Sequence, residues 1–73
     1  MQATEYHITT EFIELNQLLK LAGLCDSGGA GKALVAGGEV CVDGTQELRK
    51  TAKIRSGQRV RLGDVEIQVG SPT

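Results

Sequence analysis

Residues 26–44 of this 73-residue chain read DSGGAGKALVAGGEVCVDG, and the first half of the stretch predicts a helix. Asp26 or Ser27 is positioned to cap it, because either side-chain oxygen can accept a hydrogen bond from a free N–H two or three residues later. Glycine is enriched directly after helix ends, so Gly37 and Gly38 predict the stop. The stretch therefore predicts a short, capped helix.

A strand is predicted to follow this helix. Residues 39–43 alternate in polarity, which would turn Val40 and Val42 inward, and Asp43-Gly44 is a strong signal for a tight turn. The helix itself has few large apolar side chains. It is predicted to bury a small face formed by Ala30, Ala33, Leu34 and, at its edge, Val35.

Three glycines in the opening turns of the helix need a reason, since each costs roughly 0.5–1 kcal/mol relative to alanine. For Gly31 we expect close packing against a neighbouring element. For Gly28 and Gly29 we expect a functional role, because bare backbone lets a phosphate reach the unpaired N–H groups at the positive end of a helix.

A nucleotide-binding loop is the alternative that Gly31 and Lys32 suggest. The phosphate-loop template would need Gly at position 26 and Ser or Thr at position 33. The chain has Asp26 and Ala33 at these positions. The pattern therefore argues against ATP or GTP binding.

Upstream, apolar residues recur at helical spacing and predict an amphipathic helix over about residues 14–22, formed by Leu15, Leu18, Leu19 and Ala22. Gly23 fits the left-handed position after its last turn. Earlier still, Tyr6 and Ile8 alternate with polar residues and predict a short edge strand at 5–9. The two helices would form a helix-turn-helix pair.

Downstream, residues 45–56 show little periodicity and predict an irregular crossing that is held down by Leu48 and Ile54. Residues 58–69 predict a hairpin with a two-residue turn at Gly63-Asp64. The cross-strand pairs of that hairpin are Leu62 with Val65, Val60 with Ile67, and Arg61 with Glu66.

The charge is distributed unevenly along the chain. The net charge of −1 argues against nucleic acid, but residues 49–61 hold six of the eight lysines and arginines and no acid. Such an asymmetry is typical of a local surface for a polyanion, with a solvated charged face as the alternative. With one Tyr, one Phe and no Trp, the chain lacks rings on which bases could stack, so binding must depend on charge and shape.

Several function classes are disfavoured by what the chain contains. Cys25 and Cys41 form no metal-binding or disulfide pattern, so we expect two reduced thiols, no metal and a cytoplasmic location. No apolar run approaches the roughly 20 residues that span a bilayer, so no membrane association is expected. A single His and the lack of a nucleophile beside a base argue against an enzyme, and no cofactor is expected.

Five blocks of sequence resemble a known family over residues 13–69. They are Leu15-Asn16-x-x-Leu19, Gly23-Leu24 with Ser27, Leu34-Val35, Gly38-x-Val40-x-Val42-Asp43-Gly44, and Gly57-x-x-Val60. This order and spacing resemble the RNA-binding domain of ribosomal small-subunit protein four, which contains the αL motif. SGGAGK followed by ELRKTAKIRSGQ is similar to its small stand-alone bacterial YbcJ type.

The resemblance implies an α+β fold, in which a two-helix αL unit packs on a small, mostly antiparallel sheet with a C-terminal hairpin. It also implies binding of structured RNA without catalysis. Gly28 stands where many members of the family carry Arg, and only Lys32 keeps a cation on the second helix. We therefore predict that the basic run at 49–55 supplies the missing charge.

The sequence thus predicts a non-catalytic RNA-binding module at residues 13–69, preceded by an N-terminal segment, 1–12, and followed by a flexible tail, 70–73. Its expected partner is a structured RNA such as ribosomal or transfer RNA, with a protein partner in a larger RNA-protein assembly. A protein-interaction adaptor of the ribosome or of another such assembly is the alternative. The predicted RNA-binding residues are Ser27, Gly28, Gly29, Lys32, Arg49, Lys50, Lys53 and Arg55.

Overall fold

The computed structural model describes residues 2–71, which form seven short strands and two helices. In chain order these are β1 (Gln2–His7), β2 (Ile13–Glu14), α1 (Leu15–Leu21), α2 (Gly28–Ala36), β3 (Val40–Val42), β4 (Thr45–Gln46), β5 (Lys53–Ile54), β6 (Arg59–Leu62) and β7 (Val65–Gly70). The predicted α+β architecture is confirmed. Neither described helix is long and apolar enough to cross a membrane.

Five strands form the main sheet in the order β1-β7-β6-β3-β4. Its pairs are antiparallel except for β1 and β7, which run parallel. An edge strand therefore exists near the predicted 5–9 segment, but it begins at Gln2 and ends at His7. The short strands β2 and β5 pair separately as an antiparallel ribbon.

The C-terminal hairpin has the predicted register. Leu62 lies opposite Val65, and Val60 lies opposite Ile67. Gly63, between the two strands, has a φ of 59°, a left-handed conformation that glycine adopts at little cost. Local turn chemistry and alternation together are therefore sufficient to set this register.

The predicted C-terminal tail differs from the structure at Gly70, and the outermost residues of both ends lie outside the described part of the chain. Gly70, predicted to begin a flexible tail, is the last residue of β7, because its carbonyl accepts a hydrogen bond from the Ile8 N–H at 2.8 Å. Residues 72–73 of that predicted tail, and Met1 of the predicted N-terminal segment, lie outside the described residues.

The core lies between the two helices and one face of the main sheet, and its buried hydrophobic members are aliphatic. They are Ile8, Leu15, Leu18, Leu19, Val35, Val40, Ala52, Ile54, Val60, Ile67 and Val69. Because strand residues alternate in direction, the side chains of Arg59 and Arg61 in β6 point away from the helices. The sheet thus has a covered face and an open one.

The buried face of α2 was predicted in part: Val35 is buried and Leu34 packs against the core, as predicted. The residues that α2 buries are Gly31 and Val35, whereas Ala33 is exposed. Positions four apart share a helix face, so packing of Gly31 against α1 turns Ala33 toward solvent. Gly23 behaves as predicted, with a φ of 83° directly after the first helix and its C-cap residue.

Leu48 was also placed incorrectly, because it is 56% exposed instead of anchoring the crossing between β4 and β5. Ala52 and Ile54 are the buried residues of that segment, with exposed fractions of 7% and 1%. Pairing of β5 with β2 fixes Ile54 opposite Ile13. The crossing is therefore anchored at its C-terminal half, which leaves Leu48 outside the core.

Candidate nucleic-acid interface

The start of α2 is capped by Ser27 and not by Asp26. The Ser27 backbone is extended, and its Oγ accepts a hydrogen bond from the Ala30 N–H at 3.1 Å. The Gly31 N–H makes the first backbone bond of the helix, to the Ser27 carbonyl at 3.0 Å. Among residues 2–71, the N–H groups of Gly28 and Gly29 are left without a hydrogen-bond partner.

The three glycines at the start of α2 have different surroundings. A β-carbon at Gly31 would lie 2.6 Å from the backbone oxygen of Asn16, which confirms close packing of α2 on α1. At Gly28 a β-carbon would lie 3.0 Å from Nε2 of Gln17, so this residue also faces α1. At Gly29 the nearest atom is Ser27 Oγ at 3.8 Å. Gly29 is thus the glycine whose open side faces outward.

Asn16 joins this helix pair to the basic run. Its backbone N–H donates to the Lys50 carbonyl at 3.2 Å, and the adjacent Leu15 N–H donates to the Ala52 carbonyl at 2.9 Å. Asn16 is 2% exposed, and its Oδ1 has no hydrogen-bond partner within the described part of the chain. The start of α1 therefore contacts α2 on one side and the basic segment on the other.

A concave surface results from this arrangement, and we call it the basic concavity. It is lined by Lys32, Leu48, Arg49, Lys50, Thr51, Ala52 and Lys53. Lys32 of α2 thus shares one surface with three of the four predicted cations from the 49–55 run. Of the other predicted site residues, Ser27, Gly28 and Gly29 form the start of α2, while Arg55 follows β5.

Arg49 differs from the lysines around it because its charge is already paired. Its Nη2 donates to Oε1 of Glu47 at 3.0 Å and its Nε donates to Oε2 at 3.1 Å, and its backbone N–H also reaches Oε2. These side-chain hydrogen bonds lower the pKa of Glu47 and raise the pKa of Arg49. Arg49 is therefore a weaker partner for a phosphate than Lys32, Lys50 or Lys53.

Phe12 extends the cationic surface beyond the concavity. The Lys53 Nζ lies 4.9 Å from the centroid of the Phe12 ring, and the Arg55 Cζ lies 6.0 Å from it. Attraction between a cation and the face of an aromatic ring is worth about 0.5–1 kcal/mol at exposed sites. Phe12 therefore presents an aromatic face to both Lys53 and Arg55.

A second concave surface, the outer-sheet groove, lies on the open side of the sheet. It is lined by Glu39, Cys41, Asp43, Gly44, Gly57, Arg59, Arg61, Gly63 and Glu66. Asp43 accepts hydrogen bonds from the Arg59 backbone N–H at 3.0 Å and from the Gln58 side chain at 3.1 Å. The first of these bonds is the main reason that the pKa of Asp43 is lowered.

Arg61 was predicted to be partly neutralised by Glu66. The two residues lie opposite each other in the sheet. However, no ion pair joins their side chains among residues 2–71, and the Arg61 Nε instead donates to the Gly63 carbonyl at 3.3 Å. Arg61 is nevertheless surrounded by more acids than bases, because the groove contains Glu39, Asp43 and Glu66 against two arginines.

Three features were not predicted from the sequence. They are the pairing of Glu47 with Arg49, the position of Phe12 beside Lys53 and Arg55, and the exposure of Leu48 in the concavity. Glu47 carried a usable signal, because residues two apart in an extended segment point to the same side and can pair. Phe12 and Leu48 carried none, since both reach the site through contacts between segments that are distant in the sequence.

The S4 domain model matches residues 6–70, which is most of the chain. This chain belongs to the S4 domain family. The YbcJ proteins of Escherichia coli (strain K12) and Shigella flexneri are each 46% identical to it over 57 residues, which cover 78% of this chain and 81% of each relative.

This chain is also similar to a solved structure. The solution structure of Escherichia coli YbcJ, described as containing an αL motif involved in RNA binding, matches with a TM-score of 0.69 and 38% identity. The match covers 97% of this chain and 89% of that one. The predicted resemblance to the αL-motif family and its YbcJ type is thereby confirmed.

Proposed function

We propose that this S4 domain is a non-catalytic module that binds structured RNA through its phosphates. The observation that carries the proposal is that Lys32 lines one concavity together with Arg49, Lys50 and Lys53 of the basic run. Membership of the S4 family and the similarity to YbcJ support RNA as the ligand. Structured RNA suits such a surface, because A-form helices hide their major-groove edges and are recognised mostly through shape and backbone.

Two groups of atoms bind the phosphates of the RNA. The backbone N–H groups of Ser27, Gly28 and Gly29 hold one phosphate at the positive end of α2. The side chains that contact neighbouring phosphates are Lys32, Lys50, Lys53 and Arg55, with Arg49 contributing less because Glu47 neutralises it.

The test measures binding of a labelled RNA hairpin over a range of salt concentrations. Four neutralised phosphates predict a slope of log K against log salt of about −3 to −4 by counterion release. The same hairpin sequence as duplex DNA serves as the competitor, and RNA is expected to bind more tightly. Binding that does not depend on salt, or an interaction with proteins alone, would overturn the proposal in favour of a protein-interaction adaptor.

The helix-end phosphate site has its own matched pair of variants. Gly29→Glu places a carboxylate where the phosphate is proposed to bind, yet an acidic side chain in the first turn stabilises a helix, so the fold is expected to survive. Gly29→Ala is the control, because its added methyl group has open space. Weakened RNA binding by Gly29→Glu alone is expected, and equal binding by both variants would remove the start of α2 from the site.

A further inference from the structure

Leu48 stands out because of where it is exposed. Leu21 and Leu48 are the large hydrophobic residues that are exposed in residues 2–71, at 52% and 56%. Single exposed leucines are ordinary on protein surfaces. However, Leu21 ends α1, whereas Leu48 lines the basic concavity beside Lys32 and Lys50. An apolar side chain among cations is suited to a ligand that is both anionic and partly apolar.

Backbone hydrogen bonds flank Leu48 on both sides in the sequence, so the position of its side chain is defined. The Glu47 N–H donates to the Val40 carbonyl at 2.9 Å, and the Ala52 N–H donates to the Arg49 carbonyl at 3.2 Å. A β-carbon at Gly38 would lie 3.9 Å from Cδ2 of Leu48, which places the leucine over the turn after α2. Leu48 thus occupies a defined position at the margin of the concavity.

Arg49, the next residue, offers a flat surface instead of a free charge. Glu47 contacts the edge of its guanidinium through both carboxylate oxygens, at 3.0 and 3.1 Å. The Arg49 side chain nevertheless remains 81% exposed. Because the carboxylate lies at the edge of the guanidinium plane, the faces of that plane are left accessible. Unpaired bases in RNA stack on such guanidinium planes. Bases that leave the helical stack are also held against apolar side chains.

We propose that Leu48 and Arg49 form a contact for one unpaired nucleobase beside the phosphate-binding surface. This inference rests on the proposed function and adds the kind of RNA: a stem interrupted by an unpaired nucleotide. The lysines hold the backbone of the stem, and the extruded base lies against Leu48 and the guanidinium face. Bases in a continuous duplex are stacked within the helix and do not reach this contact.

The experiment compares two blunt-ended RNA duplexes that differ by a single-nucleotide bulge, so that neither contains unpaired loop bases. The wild-type chain is expected to bind the bulged RNA about fivefold more tightly, at the low end of what base stacking supplies. In Leu48→Ser the ratio of the two affinities is expected to fall to about one. Arg49→Lys, which keeps the charge but loses the planar group, is expected to lower the same ratio.

Leu21→Ser is the matched control, because it makes the same chemical change at a similar exposure outside the concavity. It is expected to leave the ratio at the wild-type value. A photoreactive 4-thiouridine at the bulge should crosslink to the peptide that contains Leu48 and Arg49, as identified by mass spectrometry.

The outcomes separate the two proposals. A wild-type ratio of one, or an equal loss of the ratio in Leu21→Ser and Leu48→Ser, would overturn the base contact while salt-dependent RNA binding stands. Failure of the wild-type chain to bind either duplex would overturn both proposals.

Discussion

Lys50 and Lys53 line the basic concavity, whereas Arg59 and Arg61 line the outer-sheet groove. All four belong to the run of sequence that contains six cations and no acid between residues 49 and 61. The concavity is lined by cations without an acid among its described lining residues, while the groove has three acids against two arginines. The same run therefore supplies two surfaces of different character.

The difference arises from how the fold distributes neighbouring residues. The hydrogen bonds from Leu15 and Asn16 draw residues 50–52 toward the helices. Alternation in β6 then turns Arg59 and Arg61 to the opposite side of the sheet. The acids on that side are Glu39 and Asp43, which flank β3, and Glu66 of β7. Charge must be counted by surface and not by segment, and that count supports our proposal of the concavity as the site for a polyanion.

The largest effect is expected from reversing two charges of the concavity, in Lys50→Glu combined with Lys53→Glu. Each lost phosphate contact costs about tenfold in affinity near 0.1 M salt, so RNA binding should weaken by about 100-fold. Binding is measured by fluorescence anisotropy, with circular dichroism to confirm the fold. A loss below about threefold in a folded variant would mean that the concavity is only a solvated face.

The concavity also depends on the contact between the two helices, and Gly31→Ala tests it. Its added methyl group would lie 2.6 Å from the Asn16 carbonyl oxygen, so the helices must separate. Overpacking of this kind costs about 1–3 kcal/mol in the free energy of unfolding, measured by urea denaturation. Gly29→Ala is the control and is expected to be neutral or stabilising. Equal stability of the two variants would contradict the packing role of Gly31.

A smaller effect, an increase in RNA affinity, is expected from Glu47→Gln. This change releases the charge of Arg49 into the concavity, so RNA affinity should rise about threefold to tenfold and the salt slope should steepen by up to about one. Glu66→Gln removes the same charge from the outer-sheet groove and is expected to change affinity by less than about twofold. Equal gains from both variants would show that net charge, and not the local pairing of Arg49, governs binding.

The smallest effect is expected on the stability of the fold at acid pH, to which Asp43 of the outer-sheet groove contributes. Hydrogen bonds from Arg59 and Gln58 lower the pKa of Asp43 in the folded state below its ordinary value of 3.8. A lowered folded-state pKa stabilises the fold above the ordinary pKa, and this stabilisation is lost as the pH falls through the folded-state pKa. Unfolding of the wild-type chain should therefore depend more steeply on pH below about 4 than unfolding of Asp43→Asn.

Asn suits this comparison because it tolerates the left-handed backbone of Asp43, where φ is 52°. The variant thus removes the charge and keeps the turn. Identical pH dependence of the two proteins between about pH 2 and 6 would contradict a structural role for the Asp43 carboxylate.

Local patterns were sufficient to predict the hairpin, the two helices and the left-handed turn at Gly23, because each depends on residues that are close in sequence. The register of β6 and β7 follows from alternation and from the turn at Gly63. The packing reason for Gly31 was also predictable from its cost in a helix, although its partner, Asn16, was not.

The candidate site could be predicted only in part. The sequence identified Lys32 and the 49–55 run as cations, but their shared surface depends on the hydrogen bond between Asn16 and Lys50, residues far apart in the chain. The exposure of Leu48 was not predictable either, because Ala52 and Ile54 compete with it for burial in the same crossing. Side-chain size alone favoured Leu48 and Ile54 equally, whereas the backbone pairing of β5 decided for Ile54.

The most direct test of the central claim compares the salt dependence of RNA binding in two double variants. Lys50→Glu with Lys53→Glu changes the basic concavity, and Arg59→Glu with Arg61→Glu changes the outer-sheet groove. The first is expected to make the slope of log K against log salt shallower by about two, and the second to leave it within about 0.5 of the wild-type value. Equal changes in the two variants, or a larger change from the groove, would contradict the assignment of the concavity as the RNA-binding surface.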